Sequence, residues 1–524
     1  MPCRFAACLL LALALPCLAS ARGLPPIDGD RGDGANATGT RLLRAVASDY
    51  ADGVEALAGP QRPSARHVSN ALASQSGDTA ALRDASDYLW QWGQFLDHDL
   101  DLTESAHPLE PADIPVPTGD PDFDPFHQGD RVIPLFRSVY DQDTGAVAGT
   151  PRQQVNQITG WMDASMVYGS DRVRAEALRA WDGSGRLATS DGDLLPFNTS
   201  GLPNAGGDDD PALFLAGDVR ANEQVALTAM HTLFVREHNR LVDWLGRRFP
   251  RASGDALYHV ARRLVIAQIQ VITYREFLPA LLGRRALPRY RGYRPRVDPR
   301  IANLFSTAAF RFGHSALSPQ LLRLGPDGAP IPQGPLALRD AFFAPEMLAA
   351  TGIDPILRGL AFQVCQRIDG QVVDDVRNFL FGPPGAGGFD LAALNLQRGR
   401  DHGLPSYNDV RRAYGLRAAR SFADLSRDPD TQARLAEAYA HVDDVDVWAG
   451  GLAEDPRRGS HLGPLFHRIV VDQFTRLRDG DRHHWRRVFP GRLGRVLGRV
   501  RLSDVIRRNT GIGDELPDDV FHVE

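Results

Sequence analysis

The sequence predicts a mainly α fold: one large helical domain over about residues 61–524, with long ordered loops and little β. Three observations predict it. Apolar residues recur at three- and four-residue spacing through five stretches, the pattern of helices with one buried face. Convincing alternating strands are scarce. Pro-rich, irregular segments at 107–135 and 281–300 read as loops joining helices.

Composition sets outer limits. The chain has 524 residues, 43% hydrophobic and 24% charged, the profile of a globular protein. A net charge of −6 gives no reason to expect nucleic acid as a partner. All 59 basic residues are arginine, a bias expected of a GC-rich and therefore bacterial coding sequence.

Residues 1–21 read as a secretion signal. Arg4 supplies the positive start, Phe5 to Leu18 the apolar core, and Ala19-Ser20-Ala21 the small-residue cleavage site. The protein is therefore expected outside the cytoplasm, secreted or periplasmic, with no membrane segment in its mature form. Three of the 4 cysteines lie in that signal, which leaves Cys365 as a lone buried thiol. Residues 22–60, rich in Gly, Asp, Arg and Ala, read as a flexible N-terminal arm.

Helices are expected over Ala81–Asp99, Glu223–Arg247, Ala256–Phe277, Asp354–Phe381 and Pro464–Leu477. The first ends in W-Q-W-G-Q-F-L-D-H-D at 90–99, a polar string inside an aromatic run. On a helix Gln94 and His98 share one face, Asp97 stands at its edge, and Asp99 points elsewhere. The flanking Trp90, Trp92 and Phe95 indicate burial, and buried polar groups need partners. T-G-W-M-D-A-S at 159–165 offers some. In an extended loop Thr159, Asp163 and Ser165 share a side, with the Trp161 carbonyl beside them. Together with Asp99 they form a hard, oxygen-only set suited to one Ca²⁺.

Six strings occur in order: G-Q-F-L-D-H-D, D-A-S-M-V-Y-G-S at 163–170, R-E-H-N-R at 236–240, F-R-F-G-H-S at 310–315, L-N-L-Q-R-G-R-D-H-G-L-P-S-Y-N at 394–408 and L-R-D-G-D-R at 477–482. With them the chain resembles the animal-type haem peroxidases of the peroxidase–cyclooxygenase superfamily, over roughly residues 60–515. The resemblance implies a haem b cofactor, hydrogen peroxide as oxidant, and a halide, thiocyanate or small phenolic electron donor oxidised through an oxo-ferryl state.

It also implies roles. His98 is the distal base, which takes a proton from the bound peroxide oxygen and returns it to the leaving one. Arg220 is the fixed cation near the departing oxygen. Gln94 holds the distal water. Asp97 and Glu223 are the carboxylates that form esters with haem methyl groups. His314 is the proximal iron ligand, Asn408 its hydrogen-bond partner, and Arg311 and Arg411 the propionate contacts. Asp99, Thr159, Trp161, Asp163 and Ser165 are the calcium ligands. Gln224 stands where a member of the family has a methionine making a third, sulfonium link. Its absence implies a weaker oxidant, suited to bromide, iodide or thiocyanate rather than chloride.

Two other functions are weighed. Fatty-acid dioxygenases of the superfamily place a radical tyrosine three residues before the proximal histidine, where this chain has Arg311. A non-catalytic matrix protein has no need of His98, Arg220 and His314 together. His231, Glu237, His238 and His402 are read as packing groups, and the Arg-rich stretch 482–500 as a solvated face.

Overall fold

A computed structural model describes residues 35–207 and 209–524. The expected secretion signal and the first part of the expected arm lie outside the described residues. The rest of that arm is not loose. Thr40–Arg41 pairs antiparallel with Val155–Asn156, and Asn36, Leu42 and Tyr50 are buried. The apolar Leu42 and Tyr50 side chains and the Asn36 amide, which donates to the Gly160 carbonyl, hold down a segment whose composition suggested mobility.

The helices use the predicted apolar faces, with shifted ends. The first, α1, spans Tyr88–Asp97 only. The expected start at Ala81 fails because Arg83 and Asp84 take left-handed φ values of 58° and 51°, after which Ala85 and Ser86 run extended. Asp87 fixes the new start by accepting from the Trp90 indole at 2.8 Å and the Ser318 hydroxyl at 2.7 Å. The central helix α2, Val225–Arg248, packs against α1, with Phe95 stacked on Phe234 at 5.2 Å between centroids. Helix α3, Gly254–Ile272, runs on through a π turn at Thr273–Phe277.

One predicted helix is broken. Asp354–Phe362 (α4) is helical, but residues near 363–366 run extended and bridge Ala80 and Ser86, and only Asp374–Arg377 coils again. An apolar run fits a buried extended segment as well as a helix, and here the backbone of 80–86 takes its hydrogen bonds. Helix α5 (Leu391–Asp401) reaches the site through Leu391 and Leu394, and α6 (Pro464–Gly480) packs behind it, with Phe474 against Phe310. Strands are two residues long: Ile114–Pro115 pairs with Val132–Ile133 and Gln320–Leu321 with Leu336–Ala337, so the fold is mainly α as predicted. Among the described residues no helix is long and apolar enough to cross a membrane.

Candidate active site

Three chain segments bring their polar groups to one cavity of about 340 Å³, within the size range of small-molecule sites. The end of α1 contributes Gln94, Asp97 and His98. The loop leading into α2 contributes Arg220, Glu223 and Gln224. A short helix, Phe310–His314, contributes Arg311 and His314. Trp90, Phe310, Phe312, Leu338 and Phe342 supply apolar walls.

His98 closes α1 as its C-terminal cap. Its Nδ1 lies 3.5 Å from Asp218 Oδ1 and its Nε2 3.9 Å from Glu223 Oε2, while Nδ1 makes no hydrogen bond. Burial, reinforced by the Arg220 charge, holds its pKa well below that of an ordinary histidine. The ring is therefore neutral at pH 7 and able to accept a proton.

Arg220 is fixed by Asp218. Nε and Nη2 donate to the two carboxylate oxygens at 2.8 and 2.9 Å, and Nη2 also donates to the Asp101 carbonyl at 2.9 Å. Burial disfavours both charges, but the pair overrides it: Asp218 is driven far below the carboxylate range, and Arg220 above its own. The guanidinium stays charged beside a neutral imidazole.

Asp97 and Glu223 are partly open to the cavity, with side-chain exposures of 31% and 24%. Burial and then Asp101 push the Asp97 pKa well up. Burial pushes Glu223 to about 7. Gln94 donates to Glu223 at 3.0 Å and accepts from Gln224 at 3.0 Å. Gln224 also donates to Gln91 at 2.7 Å and caps α2 at Ala226 N.

On the other side, burial, then Arg311, lowers the His314 pKa to about 3. Its partner is not the expected Asn408. Asn395 Nδ2 on α5 lies 2.7 Å from His314 Nδ1, and Asn395 Oδ1 accepts from Arg311 at 2.9 Å. Asn408 instead donates to the Ala419 carbonyl and Asp443. Arg411 is also displaced from its expected role. It pairs with Glu454 and Tyr407 and does not line the cavity, whereas Arg311 does.

Sequence reasoning thus missed Asp218 and Asn395. Both carried a signal: Asp218 is an acid two residues before Arg220, and Asn395 is a lone amide in the apolar run A-A-L-N-L.

Asp99 lies behind the cavity, where it accepts from Ser165 N at 2.5 Å, Ser165 Oγ at 2.9 Å and Ala164 N at 3.0 Å. Ala164 sits at φ 62°, a strained value that turns those amides onto Asp99. Thr159 Oγ1 donates to Asp163 Oδ2 at 3.2 Å, and Asp163 N donates to the Trp161 carbonyl at 2.9 Å. The five expected oxygen donors are neighbours. Burial and then the Asp163 charge push Asp99 well above the carboxylate range, a strain that a cation between them would relieve.

The groups read as structural have close contacts of their own. Glu237 accepts from Arg240, Gln268 and Asn509; His238 sits 2.9 Å from the Tyr168 hydroxyl; His402 bonds Thr307, Asn303 and Ser138. Cys365 is fully buried.

A largely helical domain with histidines on two segments facing one apolar cavity, and a fixed guanidinium beside one of them, defines a haem oxidoreductase. The family description "Animal haem peroxidase" matches residues 32–521, and the chain belongs to that family as a haem peroxidase. It is 40% identical to human eosinophil peroxidase over 91% of this chain and 73% of that one. The solved peroxidase A of Dictyostelium discoideum superposes with a TM-score of 0.85 at 33% identity, covering 94% of this chain and 98% of that one. A fatty acid alpha-dioxygenase of Oryza sativa shares the fold, with a TM-score of 0.77 at 21% identity over 93% and 84% of the two chains.

Proposed function

We propose that this peroxidase reduces hydrogen peroxide and oxidises bromide, iodide, thiocyanate or small phenols. The observation behind the reading is that His98, Arg220 and His314, from three distant segments, line one cavity. The residues fit a haem: an imidazole to ligate iron, apolar walls for the porphyrin, and Arg311 for a propionate. Held by His314, it would supply the two electrons that cleave the O–O bond. Asn395, not Asn408, is the partner of His314 Nδ1: its amide stands 2.7 Å from that nitrogen with Nδ2 foremost, and turned over it would accept the Nδ1–H through its oxygen and keep the ring electron-rich. His98 Nε2 takes the peroxide proton and delivers it to the departing oxygen, whose charge Arg220 offsets.

Donor choice rests on Gln224. It is an uncharged amide bonded to Gln91 and Gln94 and cannot form a sulfonium link. We expect a Soret band in the purified protein that shifts with peroxide and is restored faster by bromide than by chloride. Equal or faster restoration by chloride would sink the donor assignment. Asp97 and Glu223 are partly open to the cavity, and burial raises the pKa of both, which supports ester attachment of the haem. Acidified acetone should then leave the colour with the protein, and release of the haem into the solvent refutes the esters. A dioxygenase reading is disfavoured by Arg311, because no radical tyrosine stands three residues before His314. Secretion through residues 1–21 belongs to the same proposal, and N-terminal sequencing of the mature protein tests it.

A further inference from the structure

A second, larger cleft, of about 1140 Å³, is lined by other parts of the chain. Six exposed arginines line it: Arg83, Arg275, Arg284, Arg486, Arg499 and Arg501. They come from four separate segments, so the fold gathers them. The stretch 482–500, expected to be an ordinary solvated face, contributes two. On a chain with 65 acidic and 59 basic residues, surface arginines have acids available. Among the described residues, Arg83, Arg275, Arg284, Arg486 and Arg499 nevertheless make no ion pair, while Arg501 reaches Asp518 at 3.5 Å. The two acids that line the cleft do little to neutralise it. Asp519 is engaged by His522 at 3.1 Å, and burial pushes Glu276 to about 8, so that it is largely uncharged at neutral pH. Arg275 and Arg486 repel one another, which lowers the Arg486 pKa after burial. Arg83 holds a left-handed φ of 58° at the rim, a backbone cost paid at a site rather than at a loop tip. A cleft of one sign on a net-negative protein concentrates anions locally while the rest of the surface repels them.

A recess of about 230 Å³ continues this cleft, sharing Tyr274, Arg275, Arg284 and Arg486, and adds Tyr290, His484 and Trp485. The Tyr290 and His484 rings lie tilted at 48° to one another, with centroids 4.8 Å apart. Tyr290 Oη and both ring nitrogens of His484 have no hydrogen-bond partner, and His484 is only 2% exposed. Buried polar atoms without partners mark a place where a ligand or water completes the bonding. Sugar rings offer apolar faces to aromatic walls and hydroxyls to such atoms; a bare inorganic polyanion offers neither.

We propose that this cleft binds an acidic polysaccharide, with its carboxylate or sulfate groups on the arginines and one sugar ring at the Tyr290–His484 recess. The inference does not depend on the donor assigned to the haem site. The test uses the haem-loaded full chain and heparin as the probe. Retention on immobilised heparin should fall with salt. In Arg284→Gln/Arg486→Gln the slope of log affinity against log salt should drop by about two, one per lost contact. An Arg172→Gln/Arg427→Gln control, altered at exposed positions elsewhere, should match the parent, and an unchanged Soret band and peroxide turnover show that all variants fold. Phenylglyoxal footprinting of the unaltered protein is independent of the variants: heparin oligosaccharide should protect Arg284, Arg486 and Arg499 but not Arg427. No retention, equal loss in the control, or no selective protection overturns the site. Displacement by inorganic polyphosphate as effective as by heparin oligosaccharide at equal charge overturns the carbohydrate assignment.

Discussion

His98→Ala should lower the second-order rate of reaction with hydrogen peroxide by about 10²–10⁴-fold, the usual contribution of a positioned general base. The variant should keep its haem, because His314 lies on another segment and reaches the cavity from a different element. The size of the effect follows from the surroundings. His98 is held neutral by burial and by Arg220, so it is ready to accept a proton at pH 7. Other groups on its side are poor substitutes: Arg220 cannot accept a proton, and Gln94 and Gln224 are amides. Of the nearby carboxylates, Asp218 is held by Nε and Nη2 of Arg220, while Asp97 and Glu223 line the cavity, Glu223 at 3.9 Å from His98 Nε2, and esters would remove both as bases. Rapid mixing of the ferric protein with peroxide measures the rate directly. A loss of less than tenfold with an intact Soret band would show that His98 is not the base. Adding Glu223→Gln to His98→Ala would then reveal whether Glu223 had taken over.

What the sequence could reveal depended on how local the signal was. Gln94, Asp97 and His98 lie within one helical turn, so spacing alone puts them together, and the cavity contains all three. His314 and Arg311 are likewise three residues apart on one short helix. Thr159, Asp163 and Ser165 were expected to share a side of an extended loop, but the segment is bent, with Asp163 N on the Trp161 carbonyl and Ala164 at φ 62°, so it is the fold that brings them beside Asp99. The failures are tertiary. Whether Asn395 or Asn408 meets His314 depends on how α5 sits against Phe310–His314, and nothing in the S-Y-N string encodes that. Arg411 looked like a propionate contact, but Glu454 lies closer to it and is buried. The fold of residues 363–373 was lost for a related reason: an apolar run records burial, not the backbone that achieves it. The arginines of the second cleft lie in segments up to hundreds of residues apart, so only the fold could bring them together.

We propose that the Asp99 site holds one Ca²⁺, and its removal should destabilise the protein by roughly 3 kcal/mol when the free ion had been near 100 Kd, by mass action on the folded state. The ligand set explains why the native state would bind it. Asp99 and Asp163 are both buried, and Asp163 raises the cost of ionising Asp99. Two carboxylates taken from water without a cation each carry a penalty of several kcal/mol. Thr159, Ser165 and the Trp161 carbonyl add neutral oxygens, a number and mix that suit Ca²⁺; Mg²⁺ demands a tighter octahedron and keeps more of its water. The strained Ala164 backbone, φ 62°, is the kind of geometry a bound ion would hold in place. The effect should reach catalysis too, since Asp99 follows His98 directly and loss of its anchor frees the end of α1. Calorimetry in EGTA should therefore show a lower Tm, restored by Ca²⁺ and not by Mg²⁺, with a parallel fall in the peroxide rate. Asp99→Asn/Asp163→Asn removes both charges and should make Tm indifferent to EGTA. An unaltered Tm in EGTA, together with less than stoichiometric calcium in the purified protein, would rule the site out.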